Sequence, residues 1–239
     1  MMDNIEKKEN TQDEYAIDYF AYNNKLIRVK TFFSLRARKK MFDQFMKEIK
    51  PNEQSEILDL GTTPDRMLTD SNLFDKLYPY KDKITVCSIE NCSNIVKELG
   101  LKRYVPTEPK RPLPFRKNEF DVCICSAVLE HVGGISDQEF FLNECLRVAK
   151  HVFLTTPYRY FPIEMHTFIP FLHWMPWKTF QTIVKKTKGE FWASEDNLRL
   201  CCKRDIERMK LNKRVKVKFI RTAGIPSNML IMDISSPKS

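Results

Sequence analysis

Ser55-Glu56-Ile57-Leu58-Asp59-Leu60-Gly61-Thr62-Thr63-Pro64-Asp65 is the stretch on which the fold turns. Ile57 to Leu60 reads as a short buried strand that runs into a tight turn at Gly61. An acid near the carboxyl end of such a strand is costly to desolvate unless it meets a cation or accepts hydrogen bonds. In an open α/β sheet that end is also where ligands sit, in the crevice where strand order reverses. Gly61 permits a positive φ or a close backbone approach. The plainer alternative is a core strand followed by a turn, with Asp59 as a turn former.

The turn lacks what a dinucleotide needs. Gly-x-Gly-x-x-Gly would put glycines where Thr63 and Arg66 stand, and no Gly-x-x-x-x-Gly-Lys loop exists. A ligand carrying an adenosine without phosphate, such as S-adenosylmethionine, requires only the first close approach.

Outward from this stretch, apolar residues recur at helical spacing from Ser34 to Lys50, with Ser34 as an N-cap and Pro51 as the stop. Asp65 to Tyr80 follows the Gly61 turn, with Pro64 at a helix start or a turn. The second strand, Ile84 to Ile89, ends in Glu90-Asn91, where ribose hydroxyls can be held. Glu90 could equally be a helix N-terminal acid. A third strand is expected at Tyr104-Val105, a fourth at Phe120 to Cys125, and a fifth at Val152 to Thr155 after a helix from Asp137 to Ala149. Strands alternating with helices argue for a parallel, doubly wound sheet. Residues 178–210 read as basic amphipathic helix material with Asp196-Asn197-Leu198 at a turn, and Val215 to Arg221 and Met229 to Ile234 as a closing hairpin joined through Gly224-Ile225-Pro226.

Leu113-Pro114-Phe115, Phe120-Asp121-Val122 and Ser126-Ala127-Val128-Leu129-Glu130-His131-Val132 resemble the fourth-strand region of class I S-adenosylmethionine-dependent methyltransferases acting on small molecules. Asp59-Leu60-Gly61 resembles the opening of that family's first motif, whose later glycines are here Thr63 and Asp65. The resemblance covers roughly residues 55–156. Thr156-Pro157-Tyr158-Arg159-Tyr160-Phe161-Pro162-Ile163-Glu164, with His166, is similar to a narrower bacterial subgroup often associated with glycan or lipid biosynthesis.

The resemblance implies a Rossmann-like, doubly wound α/β sheet of seven strands. Most would be parallel, with an antiparallel carboxyl-terminal hairpin and helices on both faces. It implies S-adenosyl-L-methionine as cofactor, with Asp59, Gly61, Thr62, Thr63, Glu90, Asn91, Ser126 and Ala127 on the cofactor side and Glu108 at the adenine. The 1–33 segment would be a tail and docking segment, carrying Tyr15, Tyr19, Phe20 and Tyr22, ahead of a single domain at 34–239. Residues 156–210 would form an acceptor-side lid, because connections at the carboxyl ends of strands lie over the crevice. On it, Glu164 or His166 is the candidate base for an oxygen acceptor. Tyr158, Arg159 and His173 would contact the acceptor together with His131, which could instead only shape the site.

Composition bounds the alternatives. A chain of 239 residues with 42% apolar content suits one α/β domain. No apolar run approaches a membrane span, and the charged start does not read as a secretion signal. Seven cysteines without ladder-like spacing read as reduced thiols of a cytoplasmic protein, and no metal site is assigned. A net charge of +9 suggests an anionic partner, and contact of a basic face with a membrane surface is one form of it. Nucleic acid is disfavoured: the Asn-Pro-Pro-Tyr motif of base-amino methylases and any recognisable nucleic-acid module are missing. The expected function is methylation of a small molecule or a glycan or lipid intermediate, at oxygen. The alternatives are a methyltransferase-like binding protein without turnover and a nucleic-acid methyltransferase.

Overall fold

The structure, a computed structural model, describes residues 25–65 and 71–233, without the side chains of 25–30. Tyr15, Tyr19, Phe20 and Tyr22 of the expected docking segment lie outside the described residues.

Seven strands form one sheet in the order β3-β2-β1-β4-β5-β7-β6. They are β1 (Ile57–Leu60), β2 (Ile84–Ser88), β3 (Arg103–Pro106), β4 (Phe120–Ser126), β5 (Ala149–Pro157), β6 (Val215–Thr222) and β7 (Ile225–Asp233). The first five run parallel; β7 is antiparallel to both β5 and β6. This is the expected Rossmann-like doubly wound sheet, with β7 inserted between β5 and β6. The sequence reversal falls between β1 and β4, and Asp59 is paired in register with Val86 on one side and Ile124 on the other.

Side chains alternate along the strands, so each strand serves two cores. Leu58, Leu60, Cys123, Cys125 and Leu154 pack with Leu142 and Leu146 of α4 (Ile135–Val148). Ile57, Ile84, Val122, Ile124 and Phe153 pack on the other face with Met41 and Phe45 of α1 (Lys25–Ile49). The Phe45 ring lies 5.0 Å from Phe74 and 5.4 Å from Phe153, both nearly edge-on. Asp59 sits two residues from Ile57 and therefore shares the α1 face.

The first helix begins at Lys25, so Ser34 lies inside it and is no N-cap. Nothing between Lys25 and Phe33 breaks a helix, since the segment contains neither Gly nor Pro. Within Asp65 to Tyr80 the described helix is only α2 (Leu73–Leu77). The basic helical material expected at 178–210 forms α5 (Trp177–Thr187), α6 (Glu190–Ala193) and α7 (Lys203–Arg208), with a turn after α6 at Asp196-Asn197 as expected. Gly189, at φ 93°, turns the chain between α5 and α6, and Phe180, Val184, Ala193, Leu198 and Leu200 then close a small core of their own.

All seven cysteines are buried free thiols. α3 (Ser93–Leu99) connects β2 to β3.

Candidate functional site

The carboxyl ends of β1, β4 and β5 open into two adjoining cavities. The smaller, about 150 Å³, is lined by Asp59, Gly61, Thr62 and Thr63 together with Phe45 and Phe74. The larger, about 420 Å³, lies beneath the segment that follows β5. Arg38, Met41, Ser71, Ser126, Ala127 and Thr155 border both, which makes them one cleft.

The turn after β1 is held without its missing glycines. Asn72 accepts a hydrogen bond from the Thr63 N–H at 3.1 Å and donates to the Thr63 carbonyl at 2.8 Å. The Asp65 carboxylate accepts from the Ser71 hydroxyl at 2.6 Å. Gly61 has φ 88°, and a Cβ there would lie 2.2 Å from Val128 Cγ2. Val128, a residue of the β4 loop, makes a close approach to Gly61, which also lines the smaller cavity.

Asp59 is 7% exposed, and burial pushes its carboxyl up to about 6, against opposing hydrogen bonds from Asp75 and Thr62. Burial, followed by the charge and hydrogen bond of Asp59, pushes Asp75 well above the carboxylate range. One oxygen of Asp75 is buried without a hydrogen-bond partner. These two acids form a buried pair of which Asp59 lines the smaller cavity, and a nearby cation would favour their ionised forms.

Ser126 and Ala127 stand at the junction of the cavities. Ala127 adopts φ 58° and donates its N–H to Thr155 O at 2.9 Å. A non-glycine residue in the left-handed region stores strain, and such residues concentrate at functional sites. Glu90 and Asn91 do end β2 as expected, but both are exposed and line neither cavity. The Asn91 side chain accepts the Ser93 N–H at the start of α3. Glu108 is also turned to solvent, 3.8 Å from Arg111.

On the acceptor side Glu164 is 4% exposed and accepts from the N–H of His166 at 2.7 Å, the N–H of Thr167 at 2.6 Å, and His166 Nδ1. Burial would raise its carboxyl, but the His166 ring and the two N–H groups outweigh that and hold it at about 2. A carboxylate so saturated is a poor proton acceptor. It instead fixes the proton of His166 on Nδ1, which leaves Nε2 as the acceptor nitrogen. The His166 ring meets His131 edge-on at 4.9 Å and Trp192 at 4.9 Å. His131 in turn places Nδ1 2.6 Å from Asn197 O.

Tyr158, His131, His166 and His173 all border the larger cavity. Arg159 does not. Its guanidinium donates to His173 O at 3.2 Å and Met175 O at 3.1 Å, so it fastens the lid. His173 is buried, with Nε2 2.7 Å from Phe161 O, and burial lowers its pKa.

Two charged residues of the cleft, Arg38 and Glu130, are not among the site residues expected from the sequence. Arg38 reaches it from α1, and a helical stripe does not reveal which polar member turns inward. Glu130 is fully buried at the cavity wall; one oxygen accepts from Thr156 Oγ1 at 3.0 Å and the other has no hydrogen-bond partner. Its signal was in view, an acid directly after Leu129 in the Leu-Glu-His motif. Among the described residues no group of three or more His, Cys, Asp or Glu could hold a metal ion.

The methyltransferase-domain family matches residues 81–152, which run from before β2 into β5. Comparison with curated proteins yields no match. Among solved structures, the chain is similar to a Thermotoga maritima S-adenosylmethionine-dependent methyltransferase described as a possible histamine N-methyltransferase. Identity is 16% and the TM-score 0.52, over 87% of this chain and 94% of that one. A Pyrococcus horikoshii protein is 12% identical with TM-score 0.53, covering 88% and 92%. A Rhodobacter sphaeroides protein named as a candidate zinc-dependent alcohol dehydrogenase has the same TM-score of 0.53 at 12% identity, covering 80% and 87%. At such identities the likeness is one of fold.

Proposed function

We propose that this chain, whose fold and matched segment are those of a class I methyltransferase, uses S-adenosylmethionine to methylate an oxygen of a small organic acceptor. The observation that carries the reading is the cleft itself. Asp59, backed by the buried Asp75, borders one half, a carboxylate-held imidazole borders the other, and Ser126-Ala127 lies between them.

The residues present fit a cationic cofactor. Asp59, backed by Asp75, would face its ammonium group, and Thr62 with the Ser126-Ala127 backbone would border the amino-acid end. When bound, the cofactor supplies a methyl carbon already activated by its sulfonium. The protein's share is alignment and exclusion of water. His166 Nε2 would take the acceptor's hydroxyl proton while Glu164 stabilises the imidazolium that results. The roles offered jointly to Glu164 and His166 are thereby divided: His166 is the base and Glu164 its positioning residue. Arg159, by holding His173 and Met175, would keep the lid in place rather than touch the acceptor. Glycan and lipid intermediates fit the aromatic lining of the larger cavity.

The test has two readouts. S-adenosylhomocysteine binding measured by calorimetry should be unchanged in His166→Ala and Glu164→Gln. Methyl-labelled S-adenosylmethionine, incubated with separated aqueous and organic cell extracts, should label one fraction, and His166→Ala should reduce that labelling by about 10²–10⁴, the range for loss of a general base. Wild-type labelling by His166→Ala would remove the histidine from the mechanism. No binding of S-adenosylhomocysteine to the wild type would favour a protein without turnover.

A further inference from the structure

The lid turns aromatic side chains outward as well as inward. Ile163, Phe168, Phe171, Trp174 and Met175 are each 41–52% exposed. They are held there by built structure. Ile163 and Pro170 form a β-bridge, Phe171 N–H donates to Pro162 O at 2.9 Å, and the Phe171 and Trp174 rings meet at 4.8 Å. Phe168 at φ 58° and Phe171 at φ 60° occupy the left-handed region, which bulky residues adopt only under constraint. A cluster of large apolar groups on a surface marks an interaction site.

Charge indicates the occupant. From Arg159 to Gly189 the one acid is Glu164, which is buried, while Lys178, Lys186 and Lys188 are exposed directly after the apolar cluster and Lys185 pairs with Glu190 at 2.5 Å. Trp beside Lys, with no acid between, is the composition of a segment that lies at an anionic bilayer surface. No helix of the described residues is long and apolar enough to cross a membrane, so such contact is interfacial. The patch also adjoins the larger cavity: Ile163 both lines it and is exposed, and Phe33 of α1 does the same from another wall.

We propose that the outer face of this lid docks on an anionic lipid surface, with the mouth of the larger cavity toward the bilayer. An acceptor with an apolar anchor then enters the cleft without leaving the membrane interface. This placement rests on reading the larger cavity as the acceptor site. It also moves the expected membrane contact from a general basic face to an aromatic face bordered by lysines.

The experiment is co-sedimentation of the full chain with phosphatidylcholine vesicles, with and without phosphatidylglycerol. Binding is expected only with the anionic lipid and weakening with salt. Phe171→Ala and Trp174→Ala should each lower binding by about tenfold or more, the scale of withdrawing a large apolar side chain. Lys178→Glu and Lys186→Glu should each lower it at least about fivefold. Lys117→Glu, on the loop before β4 at the other end of the strands, should have no effect. S-adenosylhomocysteine binding should remain wild-type in all of them. No sedimentation with anionic vesicles, an equal effect of Lys117→Glu, or a dimer in light scattering that Trp174→Ala abolishes would each overturn the proposal. Loss of S-adenosylhomocysteine binding in the patch variants would do so too, by making the patch internal packing. Failure of the wild type to bind S-adenosylhomocysteine would instead strike the cofactor reading and leave the vesicle result standing.

Discussion

At Gly61 two requirements meet: a φ of 88° and a Val128 methyl where a Cβ would be. Gly61→Ala should therefore destabilise the fold by about 2–5 kcal/mol, from left-handed strain plus overpacking. Gly61→Ala with Val128→Ala should recover only the overpacking part; full recovery of the melting temperature in the double variant would show that the backbone is unstrained. Asp59 makes a pH prediction. Its folded carboxyl titrates near 6, above its ordinary 3.8, so the native state keeps a proton that the unfolded chain releases. Its effect on stability is thus absent below about 4, grows increasingly unfavourable between about 4 and 6, and is constant above that. A bound cation prefers the ionised form, so affinity for S-adenosylhomocysteine should increase as pH rises through about 6, with proton release on binding below it. Asp59→Asn should remove that dependence. Calorimetry in buffers of different ionisation enthalpy would measure both, and a pH-independent wild type would rule out Asp59 as the group facing the ammonium.

Between elements, the lid depends on Glu164 and Arg159. With the Glu164 carboxyl at about 2, below its usual 4.5, its contribution is complete above about 4.5 and disappears as pH falls toward 2. Chymotrypsin resistance at Phe168, Phe171 and Trp174 should fall in Glu164→Gln and in Arg159→Ala at neutral pH, while the global melting temperature moves little. A large global loss would place both residues in the main core instead. Phe45 works on a larger scale, joining α1 to α2 and β5 through rings that also wall the smaller cavity. Phe45→Ala should cost about 3–5 kcal/mol in denaturant unfolding and weaken cofactor binding as well. Undiminished stability would mean that α1 packs independently of Phe45.

For the molecule as a whole, net charge is less informative than where the charges go. Lys102 pairs with Glu56, Lys110 with Asp137 and Asp196, Lys150 with Asp121, and Lys216 and Lys218 with Glu48. Exposed pairs of this kind add little stability, a median of about 0–1 kcal/mol each, but they interrupt any continuous basic track. Binding to duplex DNA or RNA should therefore be weak at physiological salt. Sub-micromolar affinity that falls by roughly 10³-fold between 50 and 200 mM salt would contradict this and revive a phosphate-backbone partner.

The sequence by itself determined where most strands lie, because short apolar runs alternating with helices are local patterns: β1 and β4 lie where the residues put them, whereas β7 starts at Ile225, ahead of the expected Met229. It also determined which strand ends carry acids, and Asp59, Ser126 and Ala127 do border the cleft. Only the tertiary structure decided which acids turn inward. Glu90 and Glu108 look like Asp59 in sequence, yet both are exposed. Whether an acid at a strand end faces a cavity or water depends on neighbours distant in the chain. Asp75 lies beneath Asp59 in this way, and Val128 over Gly61. The same holds for Glu164, whose three donors come from its own turn, but whose burial makes that turn an imidazole clamp.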